Sequence, residues 1–116
     1  PRPERTVVFA HMAAEEMGLL GAYAYTADPV YPLATTVADI NIDMLPLSPP
    51  TRDVAIFGKG QNELEDRLQV LAEAEGRYVG DDGMPEQGVY YRSDHFPFAR
   101  AGVPALMTWH GWDWDE

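Results

Sequence analysis

Short β-branched runs alternate with helical stretches along this chain, and that alternation restricts it to a layered α/β fold. Arg5 to Met12 reads Arg-Thr-Val-Val-Phe-Ala-His-Met, the pattern of a buried strand. Ala13 to about Ala27 favours helix, with Met17, Leu20 and Ala24 on one stripe. Gly18 and Gly21 lower its propensity but would let it approach a sheet closely, and Asp28-Pro29 and Pro32 end it. Thr36 to Asp43 predicts the next strand. Ile40 and Ile42 point one way, and Asp39, Asn41 and Asp43 point the other. Met44 to Thr51 holds three prolines and reads as a loop, and Asp53 to Phe57 is a third strand closed by Gly58 and Gly60.

The clearest helix follows. Asn62 is a good N-cap, Glu65 completes a capping-box pattern, Leu64, Leu68 and Leu71 form the apolar stripe, and Gly76 suits the C′ position. Arg77 to Val79 predicts a short strand and Gly80 to Gly88 an acidic loop. Ser93-Asp94 would cap a brief helix through Arg100, with Pro97 tolerated in its first turn, and Val103 to Trp109 is a last strand. The order β-α-β-β-α-(β)-α-β predicts an α/β three-layer sandwich around a mostly parallel sheet. We expect one domain over residues 1–116, incomplete at both ends. A strand starts almost at residue 5, and no closing helix follows Trp109.

Composition narrows the function. The 116 residues suffice for one domain, and 46% hydrophobic content supports a packed core. No apolar run approaches the roughly 20 residues of a membrane helix, and no signal peptide opens the chain. It begins Pro1-Arg2-Pro3, which leads us to expect a processed form or a cut from something longer. With 19 acidic against 8 basic residues the formal charge is −11, which argues against a nucleic-acid partner. The excess acid is explained by a solvated surface, with which cation binding by a few carboxylates is compatible. There is no cysteine, so any metal site must come from carboxylates and the three histidines.

In open α/β sheets, sites collect at the carboxyl ends of strands. Glu15-Glu16 follow the first predicted strand, Asp43 closes the second, and His95 follows Val89-Tyr90-Tyr91-Arg92. Adjacent acids diverge by about 100° on a helix, so one can hold a cation while the other faces a cation-activated water. Taken singly, each residue has a plainer explanation. Two acids in a first helical turn complement the dipole, Asp43 can simply start a turn, Asp94 can be an N-cap, and His95 can be a surface histidine. His11 lies close enough to approach Glu15, although a half-buried structural role is the simpler reading. His110, among Trp109, Trp112 and Trp114, is expected on an exposed apolar tail.

Jointly, three stretches are more specific. They are Val7-Val8-Phe9-Ala10-His11-Met12-Ala13-Ala14-Glu15-Glu16-Met17-Gly18-Leu19-Leu20-Gly21, Asn41-Ile42-Asp43-Met44, and Tyr91-Arg92-Ser93-Asp94-His95-Phe96-Pro97-Phe98. In this order, and with Ala101-Gly102-Val103-Pro104-Ala105-Leu106 after them, the chain resembles the dinuclear zinc aminopeptidases of the bacterial leucyl aminopeptidase family. The wider superfamily includes glutamate carboxypeptidase II and glutaminyl cyclases. The resemblance implies that Glu15 is the general base, that Glu16 and His95 are ligands of one zinc, and that Asp43 is a ligand of the other. Asp94 is implied as a cap or as a group supporting the neighbouring ligand.

That family's site also uses a His followed shortly by Asp, and a bridging Asp, upstream of the acidic pair. Nothing before Glu15 supplies them. The resemblance therefore implies the C-terminal portion of a peptidase domain, with two zinc ions in the complete site and one or none in this chain. A peptide is the implied substrate, an N-terminal exopeptidase reaction the implied activity, and secretion or a periplasmic location common among such relatives. A cyclase-like reaction on N-terminal glutamine is one alternative. A non-catalytic, self-associating fragment is the other, since a missing first portion would leave a sheet edge open to a second copy or a complementing chain.

Overall fold

In the computed structural model, which describes residues 2–44 and 49–114, Ala14 and Gly18 break the first expected helix. Glu15–Met17 form a 3-10 turn bounded by left-handed Ala14 (φ 57°) and Gly18 (φ 96°), and only Leu20–Ala27 is α-helical (α1). Gly21 is needed for a different approach from the one expected. Its N–H bonds the Ala13 carbonyl, and a Cβ there would lie 2.5 Å from that oxygen. The buried face of this segment is Leu19 and Ala22, while Met17 and Leu20 of the expected stripe face outward.

Strand β1 is short, Asp39–Asn41, followed by β2 (Asp53–Ile56), helix α2 (Leu64–Ala74), β3 (Tyr78–Gly80), helix α3 (His95–Arg100) and β4 (Ala105–Trp109). The sheet order is β1-β4-β2-β3; β1 runs parallel to β4 and β2 parallel to β3, while β2 and β4 are antiparallel. The mostly parallel α/β sheet is thus as expected. Val89–Arg92, placed at a strand end in the sequence reading, is instead a 3-10 turn leading into α3. Part of the proline-rich loop, residues 45–48, lies outside the described residues.

The expected first strand is absent. Residues 6–13 carry no regular secondary structure and lie in no ladder, and Val7, Val8 and Phe9 are exposed. A strand needs a neighbour for its N–H and C=O groups, and among the described residues none is offered to this one. Side chains tie it to the body at both ends, the Arg5 guanidinium donating to the Thr35 carbonyl and Met12 packing against the core.

Helix α3 packs on β1 and β4 and carries α1 against its other side. Their shared core is Ala22, Phe98 and Val103, with Met12, Tyr25 and Leu33 around it, and the Tyr25 and Phe98 rings lie 5.6 Å apart. Burying Phe98 contributes about 1.5–3 kcal/mol. Helix α2 covers β2, β3 and β4. Asn62 and Glu65 do mark its start, but not as the expected capping box: Asn62 Oδ1 accepts the Leu64 N–H, while the Glu65 carboxylate reaches past Asn62 to accept those of Gly60 and Gln61. Leu71 departs from the expected stripe and is 64% exposed, with Ala72 buried in its stead.

The C-terminal segment is tied down rather than exposed. The buried Asp53 carboxylate accepts the Trp112 and Asp113 N–H groups at 2.8–3.0 Å. Arg77 donates to the carbonyls of Thr51, Asp53 and His110, and Thr51 Oγ1 donates to the His110 carbonyl as well. His110 stacks between Trp109 and Trp114, each 5.1 Å away, so the expected free aromatic tail is a packed corner.

Candidate active site

The polar face of β1 points inward. Asp39, Asn41 and Asp43 are partly buried while Ile40 and Ile42 are 63% and 70% exposed, an inversion of the usual apolar-in pattern. What the inward face meets is the start of α3. Asn41 Nδ2 donates to Ser93 Oγ (2.8 Å), and Ser93 Oγ donates to Asp43 Oδ2 (3.0 Å). Ser93 is 2% exposed, and His95, two residues on, is fully buried beneath the Tyr90 ring at 5.0 Å. The end of β1 and the head of α3 are thereby joined by partly buried hydrogen bonds across some 50 residues of sequence.

Asp94 does not cap α3, whose N-terminus has no side-chain cap; the backbone carbonyl of Ser93 accepts the Phe96 N–H there. The Asp94 Oδ1 atom is instead buried without a hydrogen-bond partner among the described residues, as is Asp39 Oδ2. Burial raises the pKa of Asp39 to about 6, reinforced by the Asp94 charge. Asp94 is raised as well, by burial and then by Asp43.

Glu15 reaches this group from the 3-10 turn. Its pKa is raised by desolvation first and then by the charges of Asp43, Asp94 and Glu16, with Arg92 opposing. Glu15, Asp43 and Asp94 therefore share one electrostatic neighbourhood. Glu16, next to Glu15, is exposed. His11 is exposed too, rather than half-buried.

His95 is the most constrained member. Desolvation lowers its pKa to about 4, against the opposing pull of Asp43 and the Tyr90 backbone. Neither ring nitrogen has a hydrogen bond of normal geometry among the described residues. The Tyr90 backbone thus biases the ring without satisfying it. An unsatisfied buried polar group costs about 1–3 kcal/mol, a cost that a cation coordinated at a ring nitrogen would relieve. Imidazole and carboxylate oxygen are suitable donors for a divalent metal. Among the described residues, however, no three His, Asp or Glu side chains gather closely enough to hold an ion. The donors fit a metal as contributors of ligands and do not by themselves close a coordination shell.

Sequence reasoning assigned Ser93 only a possible cap and noted Asn41 only for its polar face. The signal available was the run of three polar side chains on one face of β1, which demands polar partners wherever that face is buried.

The fold agrees with what the chain resembles. Residues 1–115 match the sequence pattern of peptidase family M28, and the chain belongs to that family. Among solved structures it is similar to the aminopeptidase from Aneurinibacillus sp. strain AM-1 (24% identity, TM-score 0.61), covering 86% of this chain and 23% of that one. It is similar also to BSAP, a zinc aminopeptidase from Bacillus subtilis (22% identity, TM-score 0.61), covering 86% of this chain and 24% of that one. The chain thus spans about a quarter of the length of these structures. No curated protein matches it.

Proposed function

We propose that this chain supplies the general base and part of the ligand set of a zinc-dependent aminopeptidase, which hydrolyses the N-terminal peptide bond of its substrate. The observation that carries the reading is His95, fully buried with neither ring nitrogen in a hydrogen bond of normal geometry among the described residues. Membership of family M28 and the likeness to a protein named as a zinc aminopeptidase support it. In this reading Glu16 and His95 hold one zinc ion and Asp43 holds the other, with the remaining ligands coming from outside these 116 residues. Zinc, when bound, supplies an acidified water and polarises the scissile carbonyl. The role of Glu15 is to take a proton from water, and its raised pKa makes it a stronger base than an ordinary carboxylate. The 116 residues alone are then inactive.

The test is Glu15→Gln in the complete protein that carries this chain, assayed on aminoacyl-nitroanilides beside cyclisation of an N-terminal glutamine peptide. Hydrolysis falling by about 10²–10⁴-fold with zinc content unchanged supports the reading. Cyclisation without hydrolysis in the parent, or an unaffected variant, overturns it.

A second reading, association, is favoured by a separate observation. Phe9 is 86% exposed in a strand-like segment outside any ladder, and β1 is an open edge of the sheet. We propose that these elements pair with a second copy or with a complementing chain.

A further inference from the structure

Asn41, Ser93 and Asp43 form a directed chain of hydrogen bonds, and its direction is forced. An ionised carboxylate only accepts, and a serine hydroxyl has one proton to give. That proton goes to Asp43 Oδ2 at 3.0 Å, so the partner of the Ser93 lone pair at 2.8 Å must be the amide donor of Asn41. An Asn41 turned the other way would leave two acceptors facing one proton. Ser93 is 2% exposed and the hydrogen bond is partly buried, so it meets less competition from water than a surface bond and holds one carboxylate oxygen in place. Among the described residues the hydrogen bond to the Asp43 carboxylate is this one to Oδ2, and Oδ1 accepts none.

The same serine stands two residues before His95, at the head of α3, while Asn41 closes β1 and Asp43 lies two residues beyond it. It is therefore the link between the two elements that carry Asp43 and His95. We infer that Ser93 is a positioning residue, which fixes the Asp43 carboxylate so that a single oxygen, Oδ1, is presented to a metal ion and sets the placement of Asp43 relative to His95. This rests on the reading above that Asp43 is a zinc ligand.

The experiment measures zinc affinity of the complete protein that carries this chain by chelator competition, and the visible absorption of its cobalt(II) form, for the parent, Asp43→Asn, Ser93→Ala and Asn41→Ala. Urea unfolding of each metal-free protein reports whether it is folded. Loss of a group that orients a ligand typically weakens metal binding about 10–100-fold. Ser93→Ala is expected to fall in that range with an altered cobalt spectrum while remaining folded, and Asn41→Ala to show a smaller loss in the same direction. If the parent binds no zinc, or Asp43→Asn does not weaken binding, the assignment of Asp43 as a ligand fails and this inference with it. If Asp43→Asn weakens binding but Ser93→Ala matches the parent, the ligand assignment stands and the positioning role is overturned. Should Ser93→Ala not fold, Asn41→Ala decides, and unchanged affinity in it overturns the proposal.

Discussion

Replacing Asp39 by Asn removes a charge that the fold tolerates at a cost, and the size of that cost follows from the structure. Asp39 Oδ2 is buried with no hydrogen-bond partner among the described residues, and the nearby Asp94 charge opposes its ionisation. Its pKa rises from the usual 3.8 to about 6. A folded-state pKa above the unfolded one means that the folded protein binds more protons between those values. Stability from the neutral acid is full below about pH 3.8 and is lost as pH rises through about 6. At about 1.4 kcal/mol per pH unit, the interval amounts to about 3 kcal/mol at most. The Asn side chain has nearly the same shape, and the main-chain bond from Asp39 N–H to the Pro104 carbonyl is untouched. Asp39→Asn should therefore be more stable than the parent by about 2–3 kcal/mol at pH 8, with the difference vanishing near pH 4. His95 works in the opposite direction, since its depressed pKa costs stability as pH falls from 6.5 towards about 4. That contribution is common to both proteins and drops out of the difference. Urea unfolding followed by tryptophan fluorescence between pH 4 and 8 measures it. A difference independent of pH, or a variant less stable than the parent at pH 8, would refute the reasoning.

Three further outcomes are expected. Asp53→Ala strands two backbone N–H groups in a buried corner and should cost about 2–4 kcal/mol in urea unfolding, while a loss below about 0.5 kcal/mol would mean that the segment is held otherwise. In metal-free protein the His95 ring, followed by NMR, should stay neutral down to about pH 5, consistent with a pKa of about 4; titration near 6.5 would contradict its burial. Phe9→Asp should reduce any concentration-dependent association seen by light scattering, and a parent that stays monomeric at high concentration counts against the strand-pairing reading.

The parts of the fold legible in the sequence were those decided over a few residues. Asn62 and Glu65 mark the start of α2 because capping joins groups within one turn, and the left-handed Gly76 ends it for the same reason. Asp53–Ile56 and Ala105–Trp109 are strands because their small, β-branched and apolar residues suit a sheet interior. The helical stripe of Met17, Leu20 and Ala24 misled, because left-handed Ala14 and Gly18 break the helix and turn a different face inward. The Val7-Val8-Phe9 run misled differently. Its pattern is that of a strand, but pattern cannot supply the neighbour that a ladder requires.

The candidate site divides along the same line. By itself the sequence determined which chemical groups were available: no thiol, three imidazoles, a Glu15-Glu16 pair and the alternating polar residues Asp39, Asn41 and Asp43, in a chain that matches family M28. Only the tertiary structure decided what those groups became. It buried His95 completely, turned the acidic rather than the isoleucine face of β1 inward, raised Asp39 and Asp94, and brought Ser93 against Asp43. Residue type is a property of each position, whereas desolvation and hydrogen-bond partnership depend on neighbours that folding delivers from far along the chain.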